Sequence, residues 1–191
     1  MKKFIPLFLI FVFCSNGIPP EGAEFITPVD CFLSIEDNNK KVPCDNYRDT
    51  DLNALVWQRQ SNSESCDNAR FTFYFENDVN IDYISIVNLN ARKDFKTRDR
   101  LRIIEVTYDD FEFIRDSLYP SDTKEAQYLK IDRKETNQVN IDIVRTYSSE
   151  KYLRSDARNE CGVKFIQFWS QSWPIFDPHL SQKREIEFDT F

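Results

Sequence analysis

From Arg70 onward the sequence alternates short apolar segments with clusters of asparagine and aspartate. In "RFTFYF", which begins at Arg70, phenylalanine occupies every second position and therefore lies on one face of a predicted strand. The segment "IDYISIVNL" (81–89) is apolar on both sides of the alternation, as in a central strand packed on two faces. Similar segments recur at 101–108, 127–131, 139–147 and 163–169. This spacing predicts an all-β sandwich or barrel.

The turns of this chain must use residues other than glycine, because Gly162 is the only glycine past position 22. Asparagine and aspartate tolerate the left-handed backbone conformation, so we predict turns at Asn77-Asp78 and Asp109-Asp110. A short helix is predicted at 122–127, where Asp122 can cap the first turn.

The N-terminal segment predicts export. An apolar run at 4–13 follows Met-Lys-Lys; it is too short to span a bilayer and typical of an export signal. Cys14 follows directly, and "FVFCSN" is similar to the lipobox of bacterial lipoprotein precursors, with Phe13 where a small residue is usual. We expect residues 1–14 to be a signal peptide with a lipidated Cys14, which makes the protein a cell-envelope lipoprotein, most simply of the outer membrane.

Two alternatives to lipidation remain open at this stage. An ordinary signal peptidase can cut near Ser15 and Gly17, which would release a soluble secreted protein. The third reading is an anchor that is not cleaved.

Four cysteines remain once Cys14 is set aside, and an even number in an exported chain predicts two disulfides. Three connectivities are open. We favour Cys31 with Cys44, which closes a short loop, and Cys66 with Cys161, which links early and late segments. A zinc site is the alternative use, but the cysteines form no C-x-x-C pair.

A chain of 191 residues with 41% hydrophobic and 30% charged residues has room for one domain of ordinary size. Residues 15–30 hold three prolines and two glycines with little periodicity, which predicts a tether. We therefore divide the remainder into a folded body at 31–169 and a C-terminal tail at 170–191.

The residues that common enzymes need are scarce. The single histidine, His179, lies beyond the last predicted strand, so Ser-His-Asp and Cys-His arrangements lack a component. No glycine-rich phosphate loop exists, and we predict that the protein is not an enzyme. A formal net charge of −7 also argues against a nucleic-acid partner.

The segment "DTDLN" (49–53) clusters hard oxygen donors on Asp49, Asp51 and Asn53. One use of such a cluster is calcium binding, although the spacing is not that of an EF-hand. The alternative is a solvated turn. No other cofactor is predicted.

Four segments occur in order between Cys44 and Trp169, over about two thirds of the chain. They are "DTDLNALVW", which ends at Trp57; "IDYISIVNLNARKDFKTRDRLRIIEVTY", with Asn88 and Arg100; "DFEFIRDSLYPSDTKEAQYLKI", with Gln127; and "IDIVRTYSSEKYLRSDARNECGVKFIQF", with Tyr152, Asp156 and Cys161. Together they resemble the discoidin-like (F5/8 type C, galactose-binding-like) β-sandwich, and within it the NADase-type glycan-binding domain.

The chain departs from the family pattern at three positions. Leu55 stands where the family usually has threonine, Leu89 where it has glycine, and Arg98 where it has asparagine. The resemblance implies a jelly-roll sandwich of about eight strands with short helical turns, whose loops at one end bind the ligand.

Sugars offer an apolar face to aromatic rings and hydroxyls to forked donors and carboxylates. The resemblance implies glycan binding, and the candidate ligand contacts of the required chemical kinds are Trp57, Arg92, Arg100, Tyr152, Arg154, Asp156 and Arg158. Three structural alternatives remain open: Trp57 can pack in the core, Arg100 can bond to loop carbonyls, and the segment with Arg154, Asp156 and Arg158 can be a loop that only covers the sandwich edge.

We therefore expect a non-enzymatic envelope protein that binds a glycan, a glycoconjugate, or another host or envelope macromolecule. The alternative is a structural or assembly subunit that contacts another envelope or host protein and has no sugar site. An exposed apolar patch around the Trp57 and Tyr152 loops favours ligand binding, whereas a patch along the sandwich side favours assembly.

Overall fold

The structure, a computed structural model, describes residues 17–35, 40–51, 53–58, 66–67, 69–89, 98–109, 111–147 and 160–171, with only the backbone described at 111–113. Cys14 and the predicted leader lie outside these residues. The described residues form ten strands. They are β1 (Ala23–Ile26), β2 (Asp30–Ile35), β3 (Val42–Pro43), β4 (Arg48–Asp49), β5 (Ala54–Gln58), β6 (Ala69–Asn88), β7 (Arg100–Tyr108), β8 (Phe111–Leu118), β9 (Gln127–Tyr147) and β10 (Glu160–Gln171). A short 3-10 helix, Cys44–Tyr47, separates β3 from β4.

The two longest strands, β6 and β9, form an antiparallel ribbon that folds back on itself. Pairing runs from Arg70 opposite Asp142 to Ile86 opposite Gln127. The register shifts after Tyr74 and again after Ile81, and such bulges let a strand bend from one layer into another. The bend is at residues 75–82 of β6.

Each arm of the ribbon is the centre of one layer. In layer A, the first arm of β6 and the second arm of β9 lie between β2 with β3 on one side and β7 with β8 on the other. In layer B, the second arm of β6 lies between the first arm of β9 and β10. β5 with β4 pairs with the start of β10, and β1 pairs with its end. The predicted all-β sandwich is confirmed.

Aromatic rings join the two layers. Phe73 on layer A packs edge-on against Phe168 on layer B, with ring centroids 4.9 Å apart, and Phe75 lies 5.3 Å from the same ring. The alternation in "RFTFYF" correctly identifies the core face, because Phe71, Phe73 and Phe75 are all buried. Burial of such large rings is a major favourable term in a two-layer fold.

Two predicted strand boundaries are wrong. The predicted turn at Asn77-Asp78 does not separate two strands. Both residues are exposed, but they lie within one continuous strand, at the bend of β6. The segments 127–131 and 139–147 are likewise one strand, β9. Local composition identifies a place where pairing is interrupted but does not distinguish a turn from a bulge. The turn at Asp109 is confirmed, with φ of 50°.

The helix predicted at 122–127 is wrong. Residues 122–126 form no regular element, and Gln127 begins β9. The carboxylate of Asp122 accepts hydrogen bonds from the guanidinium of Arg100 instead of capping a helix. The ion pair with Arg100, which is distant in the sequence, thus replaces the predicted capping hydrogen bond of Asp122.

The predicted tether at 15–30 needs a correction from Gly17 onward, because these residues are docked on the sandwich. The Gly17 amide donates to the Ala126 carbonyl at 2.8 Å, and Ala23–Ile26 pair with β10 as β1. Prolines flank β1 and lie outside it, and an edge strand tolerates such flanks. At the other end, β10 runs two residues into the predicted tail, to Gln171.

Both favoured disulfides are confirmed. Cys31–Cys44 joins β2 to the 3-10 helix, with Cα atoms 5.4 Å apart. Cys66–Cys161 joins Cys66, which lies three residues before β6, to the start of β10, with Cα atoms 6.1 Å apart. No helix in the described part of the chain is long and apolar enough to cross a membrane.

Phe168→Ala should lower the free energy of unfolding by about 3–5 kcal/mol, because it removes the ring that joins the two layers. Urea denaturation with both disulfides intact measures this loss. The matched control is Phe25→Ala, whose ring is 47% exposed and should cost under about 1 kcal/mol. Equal losses for the two variants would contradict the described core.

Candidate functional site at one end of the sandwich

Strand ends from both layers meet at one end of the sandwich, which we call the loop end. The register pairs Ile35 with Ala69 and Arg100 with Tyr147 in layer A. In layer B it pairs Gln58 with Glu160. The chain segments between these strands, at 36–41, 59–68, 89–99, 119–126 and 148–159, therefore all begin and end here. The bend of the ribbon forms the opposite end, the far end.

Asn88 connects the two layers at the loop end. Its fully buried carboxamide donates from Nδ2 to the Leu101 carbonyl at 3.2 Å, and Oδ1 accepts from the Leu101 amide at 3.0 Å. The side chain thus substitutes for a backbone pairing between the end of β6 and the start of β7. Nδ2 also lies 3.4 Å from the Ser121 carbonyl, so every polar atom of this buried group has a partner.

Arg100 connects the 119–126 segment to the joined ends of β6 and β7, which we call the frame. Its Nε and Nη2 donate to the two carboxylate oxygens of Asp122 at 2.8 and 3.0 Å, and Nη1 donates to the Arg98 carbonyl at 2.8 Å. The residue is 4% exposed. Nε, Nη1 and Nη2 thus all donate within the protein, and the buried side chain offers almost no surface to a ligand. The structural alternative for Arg100 is therefore correct, and the predicted ligand contact is wrong.

The residues before β7 are attached to the start of β10. Arg98 is 2% exposed, and its Nε donates to Glu160 Oε2 at 2.8 Å. The Asp99 amide donates to the Glu160 carbonyl, and the Gly162 amide donates to the Asp99 carbonyl, both at 3.0 Å. These bonds lie beside the Cys66–Cys161 disulfide. Sequence reasoning missed Glu160, since its partner is far away along the chain.

Gly162 is required by a close approach. A Cβ atom there would lie 2.6 Å from Leu89 Cδ1, and Leu89 is itself 2% exposed. In the pattern that the sequence resembles, glycine is usual at the position of Leu89. The large side chain therefore fits because the neighbouring strand carries the glycine.

Trp57 is a core residue. It is 2% exposed, it lies opposite Cys161 in the sheet, and its ring packs edge-on against Phe71 with centroids 5.4 Å apart. A ring with so little accessible surface offers no platform to a sugar. The predicted ligand contact at Trp57 is therefore wrong, and the core-packing alternative is correct.

The other predicted ligand residues lie outside the described residues: Arg92, Tyr152, Arg154, Asp156 and Arg158. Their roles stay predictions. The described residues that flank their segments are Leu89 and Arg98 on one side and Tyr147 and Glu160 on the other, and all four lie at the loop end.

The calcium prediction concerns the turn between β4 and β5, away from the loop end. Asp49 Oδ1 accepts a hydrogen bond from the Asp51 amide at 3.1 Å, and Asn53 has φ of 49°. These are the features of a tight turn. Across the described ranges, no group of three histidine, cysteine, aspartate or glutamate side chains is arranged to hold a metal. Calcium binding stays a prediction.

Solved structures share this architecture, although neither a family model nor a curated protein matches the sequence. An F5/8 type C domain from Bacteroides fragilis superposes with a TM-score of 0.51 at 14% identity, over 81% of this chain and 100% of that one. The fold is a discoidin-like β-sandwich. The CBM32-1 and CBM32-2 domains of Clostridium perfringens ZmpB superpose with a TM-score of 0.50 at 11% identity, over 76% of this chain and 36% of that one.

In this discoidin-like sandwich, Gly162→Ala should lower the free energy of unfolding by about 1–3 kcal/mol, because the new methyl group overlaps Leu89. A double-mutant cycle with Leu89→Ala tests the cause. The double variant should be more stable than the sum of the single effects predicts, by at least about 0.5 kcal/mol. Strictly additive effects would show that the two side chains do not compete for the same space.

Glu160→Leu should lower the free energy of unfolding by about 2 kcal/mol or more, because it leaves a buried guanidinium without its carboxylate. The double variant Arg98→Met/Glu160→Leu should recover at least half of that loss, since neither charge of this pair remains. Arg70→Met is the matched control: its ion pair with Asp142 has side chains 45% and 26% exposed, and its loss should cost under about 1 kcal/mol. A double variant no more stable than Glu160→Leu would contradict the pairing.

Proposed function

We propose that the protein is an exported, lipid-anchored envelope protein whose discoidin-like sandwich binds carbohydrate at the loop end. The observation that carries the proposal is the convergence of strand ends there, held by a disulfide, two ion pairs and the Asn88 carboxamide. Binding loops on a rigid frame lose less entropy when a ligand orders them. This end is therefore the best-prepared surface for ligand binding.

The residue types at this end suit a sugar. The segments that carry Arg92 and Arg154 to Arg158 supply guanidinium and carboxylate groups for sugar hydroxyls, and Tyr152 supplies a ring for the apolar face. Both segments begin and end at residues of the frame, because Leu89 packs against Gly162 and Arg98 pairs with Glu160. We therefore propose these loop residues, and not Trp57 or Arg100, as the sugar contacts.

The comparison with solved structures supports the same function. The ZmpB domains with this fold are named CBM32-1 and CBM32-2, a designation for carbohydrate-binding modules. We propose a non-enzymatic binding role for this chain, and the scarcity of histidine and glycine agrees with it. The proposed export and lipid anchor rest on the leader and Cys14.

A second candidate function is assembly with another envelope protein, and one observation favours it. A row of aromatic side chains crosses layer B: Phe25 lies 5.6 Å from Trp169, and Trp169 lies 5.6 Å from Tyr128. Phe25 is 47% exposed. Exposed aromatic rings on a sandwich side are typical of a protein contact surface.

Glycan-array binding of the chain from Ser15 onward, with both disulfides intact, tests the proposed function. We expect saturable binding to at least one sugar class, and a loss of at least about tenfold in affinity in the Arg154→Ala/Arg158→Ala variant. The array is repeated with and without calcium, which also tests the predicted site at 49–53.

The control variant, Lys130→Ala/Lys134→Ala, removes the same number of positive charges from β9, away from the loop end. Its affinity should match that of the unchanged chain. No binding under either condition would refute the carbohydrate proposal and favour assembly. Equal losses in the two variants would show that the arginines act through overall charge and not as sugar contacts.

A further inference from the structure

The chain between the proposed anchor and the folded protein is very short. Gly17 is already docked, because its amide donates to the Ala126 carbonyl at 2.8 Å. Only Ser15 and Asn16 separate it from Cys14. Three successive Cα–Cα steps reach about 10–11 Å at most. A lipid on Cys14 would therefore hold Gly17 close to the membrane surface.

The docking point of Gly17 belongs to the loop end. Ala126 precedes Gln127, whose side chain accepts from the Ser121 amide at 2.6 Å and donates to the Ser121 carbonyl at 2.9 Å. The Ser121 carbonyl also lies within reach of Asn88, which joins the two layers. The chain then runs towards the far end, where Ala23 pairs with Gln171. The anchor therefore attaches beside the proposed binding loops and not at the bend of the ribbon.

Exposed apolar side chains lie at the same end. Ile18 and Tyr119, at 72% and 66%, are the most exposed of the large hydrophobic residues that the structure describes. Ile18 follows the docked Gly17. Tyr119 precedes Pro120, whose carbonyl accepts a hydrogen bond from the Tyr147 hydroxyl at the end of β9. Tyrosine and branched apolar side chains are suited to the boundary between lipid headgroups and acyl chains.

We infer that the loop end faces the membrane that carries the anchor, with Ile18 and Tyr119 in contact with its headgroup region. The inference rests on the proposed lipidation of Cys14. The residues that flank the segments of the proposed sugar contacts lie at this end, so the inferred ligand is a sugar carried close to that same membrane, such as the headgroup of a glycolipid. A short anchor, an attachment point beside the binding loops, and two exposed apolar side chains all favour this orientation.

Energy transfer from the lipidated full chain to a headgroup-labelled lipid tests the orientation. A fluorescent amino acid replaces either Glu125 at the loop end or Asp78 at the far end, both exposed. The vesicles are zwitterionic and contain no glycolipid, so the result does not depend on sugar binding. One arm of β6 is about 20 Å long, so transfer should be clearly more efficient from position 125.

The control inserts ten glycine and serine residues between Asn16 and Gly17, which should reduce the difference because a flexible linker no longer fixes the orientation. Equal transfer from both positions in the native chain, or more from position 78, would overturn the inference. Absence of lipid on Cys14 in the mature protein, measured by mass spectrometry, would overturn it as well.

Membrane contact is tested at single positions. An environment-sensitive amino acid at Tyr119 should show a blue-shifted emission on vesicles, whereas the same residue at Ile114, which is 51% exposed on β8, should not. An equal shift at the two positions, or none at Tyr119, would contradict the contact.

A third arm addresses the ligand. A bead-borne sugar that the array identifies should bind vesicle-anchored protein at least about tenfold more weakly than soluble protein, and the inserted linker should restore binding. Undiminished binding would overturn the ligand class while leaving the carbohydrate proposal in place. Failure of the array itself would refute the carbohydrate proposal and the inferred ligand class but not the orientation, because the first two arms use no sugar.

Discussion

The folded-back ribbon of β6 and β9 is the constraint on which the rest of the structure depends. Because each strand contributes to both layers, the two sheets cannot separate without opening the bend or breaking the pairing of the ribbon. β2, β7 and β10 pair directly with one arm or the other, and the remaining strands attach through these three. The bend also returns both ends of β6 to the same end of the sandwich, where five of the connections between strands begin and end.

Because of this geometry, side-chain contacts are needed to hold the separate strand ends together at the loop end. The arms are held at the far end by continuous strands, but at the loop end they are separate chain segments. Asn88, Arg100 and the Cys66–Cys161 disulfide join them there. Buried polar groups with complete hydrogen bonding define one arrangement of these segments, since any other would leave donors or acceptors without partners.

Two departures from the pattern that the sequence resembles are matched by residues at the start of β10. Arg98, in place of asparagine, adds a buried positive charge, and Glu160 supplies the carboxylate. Leu89, in place of glycine, adds volume, and Gly162 supplies the space. Each departure appears disruptive in the sequence alone. The structure shows that a compensating residue lies on the neighbouring strand.

The core and the strand order could be predicted from the sequence, because the period of two in a strand is a local property; Phe71, Phe73 and Phe75 show it directly. Features that depend on distant partners could not. Asp122 has the local pattern of a helix cap, yet it pairs with Arg100. Trp57 has the same chemistry in a core as on a sugar platform, and only its burial distinguishes them. The proline and glycine content at 15–30 indicates an irregular backbone, but it does not reveal that the segment from Gly17 onward docks on the sandwich.

The two disulfides have a consequence for how the protein matures. In the proposed export, Cys31 and Cys44 would leave the channel close together, whereas Cys66 would have to wait for Cys161, which follows 95 residues later. During that interval Cys44 is the nearer partner for Cys66 along the chain, and loop closure favours the nearer thiol. Correct maturation therefore requires either rapid closure of the first bridge or a thiol–disulfide isomerase in the receiving compartment.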